Sequence, residues 1–126
     1  MYGLRNIQKG EKAKIAQQQS RNDQFSDAPV GLFFTVNQAL GIGAKMDIAM
    51  IMQNVIIAAK VQGLDTCLQA AWNHLHALVL NILDAVQKEE LVCGMALGYA
   101  DPEQIVKRFI TPRIPVENFA VLLNND

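Results

Sequence analysis

The chain has 126 residues, a formal net charge of −1, 51% hydrophobic residues and 18% charged residues. This is enough for one compact domain with a core, and the charge balance points to neither a nucleic-acid surface nor an anionic-lipid surface. No apolar leader stands in Met1 to Gly10, and the most apolar stretch, Met46 to Val61, is interrupted by Asp47, Gln53, Asn54 and Lys60. It is expected to fall short of a membrane span.

Tyr2 to about Ser20 is polar, with a thin stripe of Leu4, Ile7 and Ile15, and reads as a weak surface helix over Glu11 to Ser20. Arg21 to Ala28 clusters Asn22, Asp23, Ser26 and Asp27 and reads as turns. Pro29 then opens Val30-Gly31-Leu32-Phe33-Phe34-Thr35-Val36, a short run rich in aromatic and β-branched residues, expected to be a strand buried on both faces.

Asn37 to Ala44 reads as a glycine-containing loop, followed by a long helix from about Lys45 to Val61 that stops at Gly63. The apolar residues of this helix wrap most of its circumference, so it must be buried nearly all round. About nine large apolar side chains at roughly 1.5–3 kcal/mol each give roughly 13–27 kcal/mol gross on burial. So small a domain cannot enclose such a helix alone, and a homodimer through helix 45–61 is the economical answer.

Asp65 to Gln69 reads as a short strand, and Trp72 to Val86 as an amphipathic helix with Leu75, Leu78, Val79, Ile82 and Val86 on one face. Lys88-Glu89-Glu90 reads as a solvated turn, and Leu91 to Tyr99 as a second strand. Gly94 and Gly98 in that strand suggest close approach by another backbone or a ligand. Ile105 to Ile110 reads as a helical turn, and the apolar end of the chain must dock in this chain or in its partner.

Cys67 and Cys93 stand in apolar settings without a second ligand at metal spacing, so both are expected to be buried, reduced thiols of a cytoplasmic protein. His74 and His76 are two apart and would point to different faces of a helix. The residues contain neither a nucleophile–base arrangement nor a metal-ligand set that identifies a catalytic side chain.

Five segments, in order, resemble the nitroreductase family. They are Ala28-Pro29-Val30-Gly31-Leu32-Phe33-Phe34-Thr35, Met46 to Val55, Gly63-Leu64-Asp65-Thr66-Cys67 with Gln69-Ala70-Ala71-Trp72, Val92 to Pro102, and Thr111-Pro112-Arg113-Ile114-Pro115. The resemblance runs from about Tyr2 to Phe119. It implies an α+β fold, with a small central antiparallel or mixed sheet flanked by helices, and a homodimer. It further implies an FMN-dependent oxidoreductase in which NAD(P)H reduces FMN and the flavin reduces nitroaromatic or quinone-like acceptors. Within a single domain, residues 1–27 would form a polar helix and linker, and residues 112–126 a C-terminal arm.

The resemblance also implies cofactor-binding positions. Gln69, Ala70 and Ala71 match the loop whose backbone approaches the flavin ring; on the residues alone, this is a tight strand end that needs small side chains. Arg113 matches a basic residue on the FMN phosphate; alone it reads as a solvated arginine. Gly98, with Tyr99, would line the phosphate end. Lys107 and Arg108 are out of register with the family's basic positions and read as surface charges. Leu68 stands where the family usually has proline. Gln53 and Asn54 would hydrogen-bond within the interface, or alternatively near the flavin.

The family's opening Arg-x-Ser-x-Arg helix does not occur in these residues. The chain is therefore expected to be a C-terminal portion. Loss of two charged hydrogen bonds would cost about 3–6 kcal/mol, or roughly a hundredfold to ten-thousandfold in FMN affinity. The alternative from another class is a non-catalytic dimeric remnant that binds a partner or a different small ligand.

Overall fold

A computed structural model describes residues 6–85, 88–105 and 109–123. Three strands, β1 (Val30–Asn37), β2 (Asp65–Gln69) and β3 (Glu89–Gly98), form a sheet in the order β1-β3-β2. Both pairings are antiparallel. Three α-helices accompany it: α1 (Lys12–Ser20), α2 (Gly41–Val61) and α3 (His76–Ile82).

β3 is the centre of the core. Its Leu91, Cys93, Met95 and Ala96 are buried, and Met95 has 0% exposure. β1 is an edge strand in this chain, and Val36 is its one buried residue. The expected burial on both faces is not met here, because β1 pairs only with β3 among the described residues. Glu89 and Glu90 belong to β3, opposite Asn37 and Val36, and not to a solvated turn. Strand pairing extends to them because Gln38 also bonds back, its backbone N–H donating to the Lys88 carbonyl at 2.8 Å.

The register slips between Phe34 and Thr35, leaving Val92 as the extra residue of a bulge. Its carbonyl is not orphaned: Asn73 Nδ2 donates to it at 3.0 Å.

One face of the sheet is covered by a 3-10 turn, Arg21–Asp27, and a second, Ala70–Leu75, that leads into α3. Trp72 to Val86 is thus a 3-10 turn followed by a short helix rather than one continuous helix, and Val86 lies outside the described residues. The close approaches at Gly94 and Gly98 come from side chains of this chain. A Cβ on Gly94 would run into the Trp72 ring, and one on Gly98 would lie 2.6 Å from Pro29 Cδ.

α2 covers the other face, lying against β1 and β2. It starts at Gly41, earlier than expected, because Asn37 Oδ1 accepts the Ala39 N–H at 2.9 Å and nucleates a 3-10 turn that runs into the helix. Its end is as expected. Gly63 has φ +75°, its N–H donates to the Lys60 carbonyl at 3.0 Å, and the Leu64 N–H donates to the Ala59 carbonyl at 2.9 Å. That pair of bonds is a Schellman cap.

Ala44, Ile48, Met52, Val55, Ile56 and Ala59 are the more buried positions of α2, spaced as one stripe toward the sheet. At about 100° per residue, Ile42, Met46, Met50, Ile57 and Val61 fall on roughly the opposite side, and all five are exposed, Val61 to 79%. Gln53 sits within that open stripe. Contrary to the expectation from its polar interruptions, Gln38–Val61 is long and apolar enough to cross a membrane by length and composition. Within this chain only the stripe against β1 and β2 is covered, and Ala59 is the one fully buried residue of the helix.

α1 has no buried residue. Ile105 lies in a turn, and residues 106–108, including Lys107 and Arg108, lie outside the described set. The C-terminal segment contains a short turn at Val116–Asn118, and its apolar side chains are exposed in this chain, Leu123 to 87%.

Candidate functional site

Gln69 is the last residue of β2, opposite Gly94. Its carboxamide is turned inward and is 3% exposed. Oε1 accepts the Trp72 indole N–H at 3.3 Å, and Nε2 donates to Ser26 Oγ at 3.1 Å. The buried amide therefore has a partner at each end. The chain then leaves the sheet into the Ala70–Leu75 turn. Ala70 is exposed and Ala71 half-buried, and neither carries a polar side-chain group.

An aromatic cluster supports the loop from beneath. Phe25 stacks on Trp72 with ring centroids 4.9 Å apart, and Phe33 meets both edge-on at 5.3 and 5.1 Å. Phe25 fills the space over Gly31 just as Trp72 does over Gly94. Sequence reasoning missed Phe25 and Ser26. The one available signal was Phe25 itself, the sole apolar residue between Asn22 and Asp27.

Gly98 lies at the other end of the β2–β3 pair, opposite Asp65. Four residues separate the two positions, which is about 13 Å of strand. Gly98 and Gln69 are thus held apart at opposite ends, and the direction in which a Gly98 side chain would project is filled by Pro29. Gly98 and the exposed Tyr99 border an open cleft of about 760 Å³ between the Arg21–Asp27 turn and the starts of β2 and the segment after β3.

Arg113 is exposed in the C-terminal segment. Its Nη1 donates to the Thr111 carbonyl at 3.1 Å, one of the five donors a guanidinium carries.

Cys93 is buried, but Cys67 is exposed, contrary to expectation, because it sits on the edge strand β2. Burial of its sulfur among neighbours is nevertheless the main reason its thiol pKa is raised, and the nearby Cys93 adds to this. Among the described residues no group of three His, Cys, Asp or Glu side chains is placed to hold a metal.

Residues 3–99 match the Nitroreductase family. The chain belongs to the nitroreductase family. It is 34% identical over 125 residues to 4-nitrobenzoate reductase of Pseudomonas putida, covering 99% of this chain and 55% of that protein. It is 35% identical over 104 residues to chloronitrobenzene nitroreductase of Comamonas testosteroni, covering 82% of this chain and 46% of that protein. Among solved structures, the FMN and NADPH-dependent nitroreductase NfnB from Sphigopyxis sp. strain HMH matches with a TM-score of 0.92 at 28% identity, covering 98% of this chain and 56% of that one. This nitroreductase-family chain therefore spans about half the length of the relatives it matches. The expected α+β architecture, a small sheet flanked by helices, is that of the family.

Proposed function

We propose that this chain contributes the ring-side loop and the dimer helix of an FMN-dependent oxidoreductase that takes electrons from NAD(P)H and passes them to nitroaromatic or quinone-like acceptors. The single observation that carries the reading is the Gln69–Ala71 loop. Its one large polar side chain is locked into the core by Ser26 and Trp72. The two alanines that follow leave their backbone near the surface. That arrangement fits a flat heteroaromatic ring whose nitrogen and oxygen atoms seek amide donors at hydrogen-bond distance.

Bound FMN would supply the redox chemistry, accepting a hydride and delivering it to the acceptor. The residues of this chain bind and orient. The amides of Ala70 and Ala71 serve the ring, and Arg113 serves the phosphate as a charge-assisted donor. Gly98 belongs to the phosphate end in this reading, through its backbone, since Pro29 occupies its side-chain direction. Affinity for FMN is expected to be low in these 126 residues alone, because the Arg-x-Ser-x-Arg motif is not among them.

The partner is a second copy. The open stripe of Met46, Met50, Ile57 and Val61 on α2 supports this, as does the exposed apolar C-terminal segment, which can lie across a neighbouring protomer. The two free thiols favour a reducing compartment, the cytoplasm.

The test is a flavin titration of the purified chain, followed by NAD(P)H-dependent reduction of a nitroaromatic and of a quinone. Quenching of FMN fluorescence on addition of protein is the expected result. The absence of quenching at FMN concentrations up to about 1 mM, weaker than about 4 kcal/mol of binding, would overturn it.

A further inference from the structure

Phe25, Ser26 and Asp27 all have left-handed backbone conformations, with φ of 49°, 55° and 67°. None is a glycine, and consecutive left-handed L-residues are disfavoured by contact between Cβ and the following carbonyl. Phe25 and Ser26 are each held by a tertiary contact, and Asp27 by an exposed ion pair within the turn. The Phe25 ring is stacked on Trp72. Ser26 Oγ accepts from Gln69 Nε2 at 3.1 Å. The Asp27 carboxylate is paired with Arg21 at 2.6 Å.

The middle residue of this strained turn thus presents its hydroxyl to a buried carboxamide 43 positions away. On the opposite side of the same carboxamide, the Trp72 indole donates at 3.3 Å. An indole N–H can only donate, so it fixes the oxygen of Gln69 toward Trp72 and the nitrogen toward Ser26. The side chain of Gln69 is then set at both ends, at the residue where the chain turns out of β2 with φ −133° and ψ 79°.

We propose that Ser26 and Trp72 are positioning residues. By clamping the Gln69 carboxamide from both sides, they hold the backbone amides of Ala70 and Ala71 in the orientation that a flavin ring requires. This rests on the reading of Gln69–Ala71 as the ring-contacting loop. Neither Ser26 nor Trp72 touches the flavin in this scheme; both act through Gln69. The competing account is that these bonds only satisfy a buried amide and stabilise the fold.

The test uses three variants of the full chain. Ser26→Ala removes the acceptor, Trp72→Phe removes the indole donor while keeping an aromatic ring, and Ser26→Asn keeps a side-chain acceptor on a residue that tolerates the left-handed backbone. Backbone ¹⁵N order parameters are measured without flavin, and FMN affinity and the midpoint potential of bound FMN with it. In Ser26→Ala and Trp72→Phe the order parameters of Ala70 and Ala71 are expected to fall from about 0.85 to below about 0.6, while Met95 in β3 stays rigid. FMN affinity is expected to drop about tenfold in each, about 1.4 kcal/mol, with a shifted potential, and Ser26→Asn is expected to recover both. The proposal is overturned if Ala70 and Ala71 remain as rigid as in the parent chain. It is equally overturned if affinity and potential are unchanged and only the melting temperature falls. Should the parent chain bind no FMN, the proposed function fails, and the order parameters alone decide whether the clamp exists.

Discussion

The indole of Trp72 occupies the space that a Cβ on Gly94 would need, and the same indole donates to Gln69, the residue paired with Gly94 across the sheet. A missing side chain on β3 therefore creates the seat of the group that fixes the loop after β2. Gly94→Ala forces either the ring or the strand to move. Overpacking of this kind costs typically about 1–3 kcal/mol, and the unfolding midpoint in urea should fall accordingly, with near-ultraviolet circular dichroism reporting the displaced tryptophan.

Gly63→Ala tests the cap of α2. The position has φ +75°, and its N–H makes one of the two bonds of the Schellman motif, the other coming from Leu64. An L-residue in that region costs roughly 1–2 kcal/mol. No atom lies within 4 Å of a Cβ built there, so the penalty is purely conformational. A lower urea midpoint with an unchanged slope is the expected outcome.

Charge placed on the open stripe of α2 should separate the protomers. Met50 and Ile57 are both exposed in the single chain, one helical face apart from the stripe that meets the sheet. Met50→Glu and Ile57→Glu are expected to convert a dimer at micromolar concentration to a monomer, each costing about 2 kcal/mol or more of association if these are central contacts. Analytical ultracentrifugation reads this directly. Sedimentation of the parent chain as a monomer at the same concentration would remove the dimer from the proposal.

Cys67 should react slowly for an exposed thiol. Burial among its neighbours, and secondarily Cys93, raises its pKa, so the neutral thiol is favoured and the nucleophilic thiolate is scarce at neutral pH. The rate of labelling by a disulfide reagent is expected to rise with pH to a midpoint above the value of about 8.5 for a free cysteine. In linkage terms, the raised pKa contributes stability that is present below the unfolded-state pKa and is lost as pH climbs through the folded-state value. Cys93, buried on β3, should label only on unfolding.

Arg113→Ala separates ligand binding from folding. The side chain is exposed, and its bond to Thr111 is local, so the melting temperature should hardly move. If the guanidinium serves the FMN phosphate, loss of a charged hydrogen bond of about 1.5–3 kcal/mol weakens FMN roughly ten- to hundredfold. Equal affinity in parent and variant would take Arg113 out of the site.

The sequence by itself determined the elements whose signals are local. Val30–Val36, Asp65–Gln69 and Leu91–Gly98 carry strand composition, and Gly63 ends α2 because only its left-handed φ completes the cap. The two-sided apolar pattern of α2 was equally legible, since helical periodicity is a property of neighbouring residues. The family's ordered segments marked Gln69, Ala70, Ala71 and Arg113. Tertiary structure alone decided what occupies the space beside Gly94 and Gly98, since a glycine announces room without naming its occupant. It made β1 an edge strand and left Cys67 exposed, because burial depends on which strand lies at the centre. It also brought Ser26 to Gln69 across 43 residues of chain and bent Phe25–Asp27 into a conformation that their local preferences oppose. Trp72 and Gln69 supply the contacts that hold Phe25 and Ser26, and only the Arg21–Asp27 pair lies within the turn itself.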